Sequence, residues 1–207
     1  MKIFKSFILI FLLLIIFIII SAISYVSAVS NNISNSVFRL HVIANSDSEE
    51  DQNLKYKVRN ALLEYMNSLT QNITSRDAAI EIAKKHENEF YKIAKKVIED
   101  NGYDYNVNIN IGNSFFPTKY YGDICLPSGY YDSLKVEIGN ASGQNWWCVM
   151  FPPLCFVDMS TGIVPNESKH TINENLNDEE YAIISKTNTT NINFKFKLIE
   201  FFNSKIL

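Results

Sequence analysis

The first 28 residues constrain the fold most, because they contain an apolar run that a water-soluble domain could not leave exposed. Lys2 and Lys5 precede 14 consecutive apolar residues at 7–20, and small, weakly polar residues follow as far as Ala28. A charged start, an apolar run and then small residues are typical of an export signal. The sequence therefore predicts that residues 1–28 are a signal peptide, cleaved after Ala28, or a membrane anchor.

The choice between signal and anchor depends on the length of the apolar run. A membrane-spanning helix needs roughly 20 apolar residues, and the strict run is shorter, although Ile23 and Val26 extend it. Both interpretations place the rest of the chain outside the cytoplasm of the cell that makes it, because the flanking positive charges precede the run. The sequence favours cleavage, with membrane association through residues 7–26 as the alternative.

Charge argues against a nucleic-acid partner. The chain carries 19 Lys and Arg against 22 Asp and Glu, a net charge of −3, and the first 28 residues contain two lysines and no acid. Residues 29–207 are therefore more acidic than the whole chain. The basic residues are scattered and form no stripe interleaved with aromatic residues, whereas nucleic-acid binders usually carry such a stripe.

A polar linker is predicted at 29–36, and a single domain at 37–207. The domain opens with a short apolar run at 37–44 that is rich in β-branched residues, as a buried strand is. Ser46 and Glu49 then stand three residues apart, the spacing of a capping box at a helix start.

Two helices are predicted next. Apolar residues recur at three- and four-residue spacing over 49–69 and again over 74–100, where Asn101 and Gly102 end the pattern. Each helix therefore has one apolar face, which predicts that the pair packs on something flat.

Strands follow the helices. Aromatic and aliphatic residues alternate with polar ones over 103–111, a period that a half-buried strand explains. Together these patterns predict an α+β fold in which two helices pack on a mostly antiparallel sheet. The polar stretch at 160–193 predicts a mobile excursion. Further strands are predicted at 119–126, 134–138, 147–151 and 194–198.

Residue types and spacing give little support for catalysis or metal binding. His41, His86 and His170 fall in a predicted strand, a predicted helix and the polar excursion, and no pair of ligands has a metal-site spacing. Cys148 with His41 and an acid, Asp47 or Asp158, would suit a thiol hydrolase, but one Cys and one His are hardly specific. We expect no catalytic residue, no metal and no cofactor.

The chain has three cysteines, so one is left over whatever the pairing. Six residues that include Pro152 and Pro153 separate Cys148 from Cys155, which is compatible with a disulfide-closed turn. The alternative is that all three are buried thiols that behave as small hydrophobic residues. The sequence leaves both open.

The stretch NWWCVMFPPLCFVD at 145–158 contains both tryptophans. On a strand, Trp146 and Trp147 point to opposite faces, so only one of them can face the helices. The other lies against a loop or on the surface, where it would form an apolar patch suited to a protein partner. Packing of both in the core is the alternative. The predicted partner-binding residues are Trp146, Trp147, Phe151, Pro152 and Pro153.

Two blocks of residues together resemble a known family. The first is FRLHVIANSDS at 38–48, followed by Asp51-Gln52 and Lys57-Val58-Arg59. The second runs from FPTKYYG at 116–122 into the tryptophan stretch at 145–158. In this order and over most of the chain, they resemble stage II sporulation protein R of endospore-forming bacteria.

The resemblance implies a signalling protein and not an enzyme. Members are made in the forespore, exported into the space between the forespore and mother-cell membranes, and trigger a membrane-embedded aspartic protease of the mother cell. That protease removes the pro-sequence from the precursor of the sporulation sigma factor E. The resemblance therefore implies this protease as the partner, and a location in the intermembrane space or at the forespore membrane.

Two other functional classes stay open. A cell-wall or lipid-binding module could use tyrosine faces to stack on sugars. A thiol hydrolase would use Cys148 as its nucleophile. The tyrosines in question are Tyr103, Tyr105, Tyr120, Tyr121, Tyr130 and Tyr131.

Overall fold

The structure is a computed structural model, and it describes residues 2–155 and 164–185. The predicted strand at 194–198 lies outside these residues. Six helices and six strands are formed within them. The helices are α1 (Lys2–Ser34), α2 (Glu49–Thr70), α3 (Arg76–Lys85), α4 (Glu87–Asp100), α5 (Asn166–Glu174) and α6 (Asp178–Ile184). The strands are β1 (Phe38–Ile43), β2 (Val107–Phe116), β3 (Lys119–Tyr121), β4 (Ile124–Leu126), β5 (Gly129–Ile138) and β6 (Asn145–Phe151).

The main sheet has four strands in the order β2-β5-β1-β6. The pairs β2–β5 and β1–β6 are antiparallel, and β1–β5 is parallel. β3 and β4 form a separate antiparallel hairpin. The α+β prediction with a mostly antiparallel sheet is therefore confirmed.

The central strand β1 is buried along its whole length, and its side chains alternate between two environments. Leu40 and Val42 belong to the apolar core that includes Leu54 and Val58 of α2. Arg39 and His41 point to the opposite face, where Arg39 meets Tyr121 of the β3–β4 hairpin. The sheet is therefore covered by helices on one face and by the hairpin on the other.

Helix α2 begins at the predicted position, but its cap differs from the prediction. The Ser48 hydroxyl, and not that of Ser46, accepts the hydrogen bond from the amide of Asp51. Ser46 instead donates to the Asp51 carboxylate at 2.5 Å, and Glu49 is exposed. A buried carboxylate next to Ser46 offers a stronger partner than a free backbone amide, which explains the shift.

The single helix predicted at 74–100 is two helices in the structure. Ser75 caps α3, and the chain leaves helical geometry at His86, where φ is −104° and ψ is 13°. The break lets α3 pack against β1 while α4 packs against β2. One straight helix would not follow both strands, because a twisted sheet turns from one strand to the next.

The segment predicted as a polar linker, 29–36, is helical as far as Ser34 and continues α1 without interruption. Val29 and Ile33, four residues apart on one helical face, are buried in the domain core. The outer turns of α1 are exposed. α1 has the length and apolar character to cross a membrane, a test that a signal sequence also passes.

The described part of the predicted excursion, 164–185, contains α5 and α6. Asn177 and Glu180 form a capping box at the start of α6, and Ile172, Ile183 and Ile184 are buried. Although this stretch is mostly polar, a few buried isoleucines therefore pack its two short helices against the core.

Strand β2 starts later than the alternation predicts. Tyr103 and Tyr105 precede it in a loop, where their rings stack at 5.2 Å, and the strand continues to Phe116. The alternating pattern thus predicted the strand correctly from Val107 onwards. Its first two aromatic residues, Tyr103 and Tyr105, are instead a stacked pair in the loop before the strand.

Candidate functional site

The predicted partner-binding residues lie on or next to β6, the last strand at one edge of the described sheet. Some backbone carbonyls along this edge already have hydrogen-bond partners within the protein. The Trp147 carbonyl accepts a hydrogen bond from the Tyr121 hydroxyl at 3.2 Å, and the Val149 carbonyl accepts one from the Leu154 amide at 3.2 Å. The turn after β6 thus folds back on its own strand and closes the second half of the edge.

Trp146 faces the helices, on the flank of α2. Its ring meets Tyr56 edge to face at a centroid distance of 5.4 Å, and the Arg59 guanidinium lies 4.2 Å from the indole centroid. The Arg59 guanidinium also donates to the side-chain oxygen of Asn60, and burial lowers the pKa of Arg59. Trp146 remains partly exposed, so indole, phenol and guanidinium form one cation–aromatic surface.

Trp147 faces the opposite side of the sheet. Its ring stacks on His41 at 3.6 Å and meets Phe116 at 4.8 Å. Below this pair, Arg39 is fully buried, with its guanidinium 4.1 Å from the Phe116 centroid and a 2.6 Å hydrogen bond to the Tyr121 hydroxyl. The two tryptophans therefore lie on opposite faces, as the strand alternation predicts, and both are partly exposed.

His41 is held as a neutral side chain. Its Nε2 lies 2.6 Å from the Asn145 side-chain oxygen, which requires Nε2 to carry the proton. Burial lowers the pKa of His41 to about 4, although the Asn145 hydrogen bond opposes this shift. A neutral imidazole stacked on an indole packs as an aromatic ring, so His41 has a structural setting on this face of the sheet.

The three remaining predicted partner residues differ in exposure. Phe151 is 4% exposed, Pro152 is also buried, and Pro153 is exposed. The Pro153 carbonyl accepts a hydrogen bond from the Ser168 hydroxyl of α5 at 3.1 Å. Phe151 and Pro152 are thus buried where they line a groove beside α5, and they offer little side-chain surface to a partner in this conformation.

Cys148 and Cys155 form a disulfide, and Cys125 is a buried cysteine outside it. Cys148 therefore has no thiolate for attack, which opposes the thiol hydrolase interpretation. Among residues 2–155 and 164–185, no group of three His, Cys, Asp or Glu side chains could hold a metal ion.

The six tyrosines considered for sugar stacking do not form one surface. Tyr121 and Tyr131 are buried, whereas Tyr120 and Tyr130 are exposed. Tyr103 and Tyr105 lie in the loop before β2, at the other end of that strand from Phe116.

The motif that follows β1 ties α2 to the loop before β6. The Asn45 and Ser46 side chains both donate to the Asp51 carboxylate, and these bonds outweigh the effect of burial to lower the pKa of Asp51. Asp47 accepts from the Gln144 amide at 2.7 Å. The buried Lys55 donates to the Gln144 carbonyl at 3.0 Å. These contacts thus hold the start of α2 against the residues just before Trp146.

Sequence reasoning missed Tyr56 and Arg59 as neighbours of Trp146. Both lie on α2 at a spacing of three residues, so they share a helix face. The missing information was which strand lies beside α2, and that depends on the order of strands in the sheet.

Comparisons with known proteins agree with this arrangement of motifs. The family model for stage II sporulation protein R matches residues 34–161. The stage II sporulation protein R of Bacillus subtilis (strain 168) is 37% identical over 137 residues, which cover 66% of this chain and 61% of that protein. No solved structure shows a significant match. The matched region contains the segment from Asn45 to Asp51 at the start of α2, the β3–β4 hairpin and both tryptophans. The chain therefore belongs to the stage II sporulation protein R family.

Proposed function

We propose that this protein is an exported signal that activates a membrane-embedded aspartic protease in the mother cell during sporulation. The forespore makes it and exports its domain into the intermembrane space. The activated protease then removes the pro-sequence from the precursor of sigma factor E. The observation that carries this proposal is family membership together with the apolar helix α1.

Activation requires binding that distinguishes two states of the protease. A ligand shifts an equilibrium only as far as its affinities for the two states differ. The protein must therefore offer a surface that grips one arrangement of the receptor more tightly. A rigid surface suits this role, because little conformational entropy is lost on binding.

We assign the contact to the first half of β6, with Trp146 and Trp147 on either side. Trp146 adds the guanidinium of Arg59, while Trp147 rests on the His41 ring. Partly exposed tryptophan and arginine are the residue types that most often dominate protein interfaces. The disulfide and the hydrogen bonds of Asp47 and Lys55 hold both ends of this stretch.

Reconstitution tests the proposal. The full chain, the membrane protease and the sigma factor precursor are combined in liposomes, and precursor cleavage is followed on gels. We expect cleavage only when the chain is present. Replacing Trp146 and Trp147 by alanine should reduce cleavage at least about tenfold, because hot-spot side chains contribute about 2 kcal/mol or more.

Tyr91→Ala is the matched control, because Tyr91 is an aromatic residue that is 41% exposed on α4. This variant should support full cleavage, and circular dichroism should show that every variant is folded. If a folded double tryptophan variant activates normally, the contact lies elsewhere. If the wild-type chain never stimulates cleavage, the proposed function is wrong.

A further inference from the structure

The helix α1 joins the domain without a flexible connection. It is helical through Ser34, and Val29 and Ile33 are buried in the domain core. The Asn32 side chain donates to the Glu180 carboxylate of α6 at 2.6 Å. While α1 is present, its direction therefore fixes how the domain lies relative to any membrane that the helix crosses.

The domain also begins very close to the apolar part of α1. A bilayer core takes about 20 helical residues, so a span that starts at Phe7 reaches its far boundary near Val26. At a rise of 1.5 Å per residue, Val29 lies only about 5 Å beyond that boundary. The headgroup layer on each side is about 5–7 Å thick, so the near end of the domain must reach it.

The strand directions identify which end of the domain is near. β1 starts at Phe38, four residues after α1 ends, and β5 is parallel to β1 and contacts α1. The first residues of β5 therefore lie at the same end. β2 is antiparallel to β5, so its last residues lie there too.

Two exposed aromatic side chains lie at this end. Phe115 and Tyr130 face each other across β2 and β5, with ring centroids 5.7 Å apart. Phe115 is 44% exposed and Tyr130 is 47% exposed. Tyr25, on α1 itself, is 51% exposed next to the expected bilayer boundary. Tyrosine is enriched at the boundary between lipid and water, where its ring is apolar and its hydroxyl stays hydrated.

We propose that Phe115 and Tyr130 form a lipid-facing surface that lies in the headgroup layer of the membrane crossed by α1. The surface holds the domain against the membrane. Trp146 pairs with Val42 near the last residue of β1, so it lies towards the opposite end of the sheet. This inference concerns the chain that retains α1, and it does not depend on the protease.

Depth-dependent quenching tests the proposal. The full chain is placed in phosphatidylcholine nanodiscs, and Phe115 or Tyr130 is replaced by a cysteine that carries a fluorophore. The native cysteines compete little for the label, because two form the disulfide and Cys125 is buried. We expect a nitroxide on the lipid headgroup to quench both probes severalfold more than a probe at Tyr91.

Tyr91 is a suitable control because it lines a groove with Val107, at the opposite end of β2 from Phe115. Phe115 lies eight residues after Val107 along the strand, a distance of about 27 Å at roughly 3.4 Å per residue. Equal quenching at positions 91, 115 and 130 would overturn the proposal. Probes at 115 and 130 that are shielded from aqueous iodide but not reached by the lipid nitroxide would also overturn it, because a second copy or another protein would then cover the surface.

A second variant separates anchoring by the aromatic pair from anchoring by α1 alone. The probe is moved to Asn113, which is exposed on β2 two residues before Phe115. Replacing both Phe115 and Tyr130 by serine should reduce lipid quenching of this probe severalfold, with the fold verified by circular dichroism. Unchanged quenching would show that the pair does not hold the domain to the lipid.

Discussion

At the scale of single residues, the lowered pKa of His41 makes the stability of the fold depend on pH. The folded protein keeps the pKa of His41 at about 4, below the ordinary value of about 6.5. The unfolded chain therefore takes up a proton on His41 between these values, and the folded chain does not. Stability from this residue is present above pH 6.5 and is lost as the pH falls towards 4.

We expect the free energy of unfolding to fall by up to about 3 kcal/mol from His41 alone over this range. Urea unfolding at a series of pH values measures the total change. In a His41→Gln variant the decline between pH 6.5 and 4 should be smaller than in the wild type. A His41 variant that follows the wild-type profile would contradict this account.

Arg39 is a fully buried charged side chain whose guanidinium packs between aromatic rings. Its guanidinium has rings on both sides, with the Phe116 centroid at 4.1 Å and the Tyr131 centroid at 4.6 Å. Within the described residues, its Nε and Nη1 atoms have no hydrogen-bond partner. Aromatic faces therefore supply much of the stabilisation of this charge, together with the Tyr121 hydroxyl.

At the scale of elements, the contact between the loop before β6 and the start of α2 is very close. A Cβ atom on Gly143 would lie 2.1 Å from the Ser46 carbonyl oxygen. The Gly143 amide also donates to the Ala44 carbonyl at 3.0 Å. The backbones approach closely here because position 143 carries no side chain.

We therefore expect Gly143→Ala to destabilise the protein by about 2–3 kcal/mol, since it forces backbone atoms apart in a packed region. Gly102→Ala is the matched control, because a Cβ there meets nothing within 4 Å, although its φ of 83° still costs about 1–2 kcal/mol. Denaturant midpoints measure both variants. Equal or smaller destabilisation at position 143 would mean that the loop relaxes without cost.

At the scale of the whole molecule, the last turns of α1 belong to the folded domain. Cleavage after Ala28 would leave Val29 and Ile33 in place, and both are buried. The predicted cleavage position is thus compatible with an intact core, whereas removal of the entire segment before β1 is not.

A chain of residues 29–207 should therefore unfold at nearly the same temperature as the full chain. A chain of residues 37–207 should lose about 3 kcal/mol or more, since it removes two buried aliphatic side chains. Thermal unfolding followed by circular dichroism compares the two. If both truncated chains are equally stable, the docking of α1 contributes nothing to the domain.

The local patterns of the sequence predicted most elements of this fold. Helix α2, strand β1 and the opposite orientation of the two tryptophans follow from periodicity, which depends only on neighbouring residues. The family also follows from contiguous motifs within 34–161.

Only the tertiary structure decided which surfaces these elements form. It placed Tyr56 and Arg59 beside Trp146, buried Phe151 and Pro152 beside α5, and made the predicted linker the end of a docked helix. These outcomes depend on strand order and on contacts between residues far apart in the chain, for which local periodicity carries no information. The N-terminal helix and the α+β class were determined by sequence alone, because each follows from apolar residues repeated at short range.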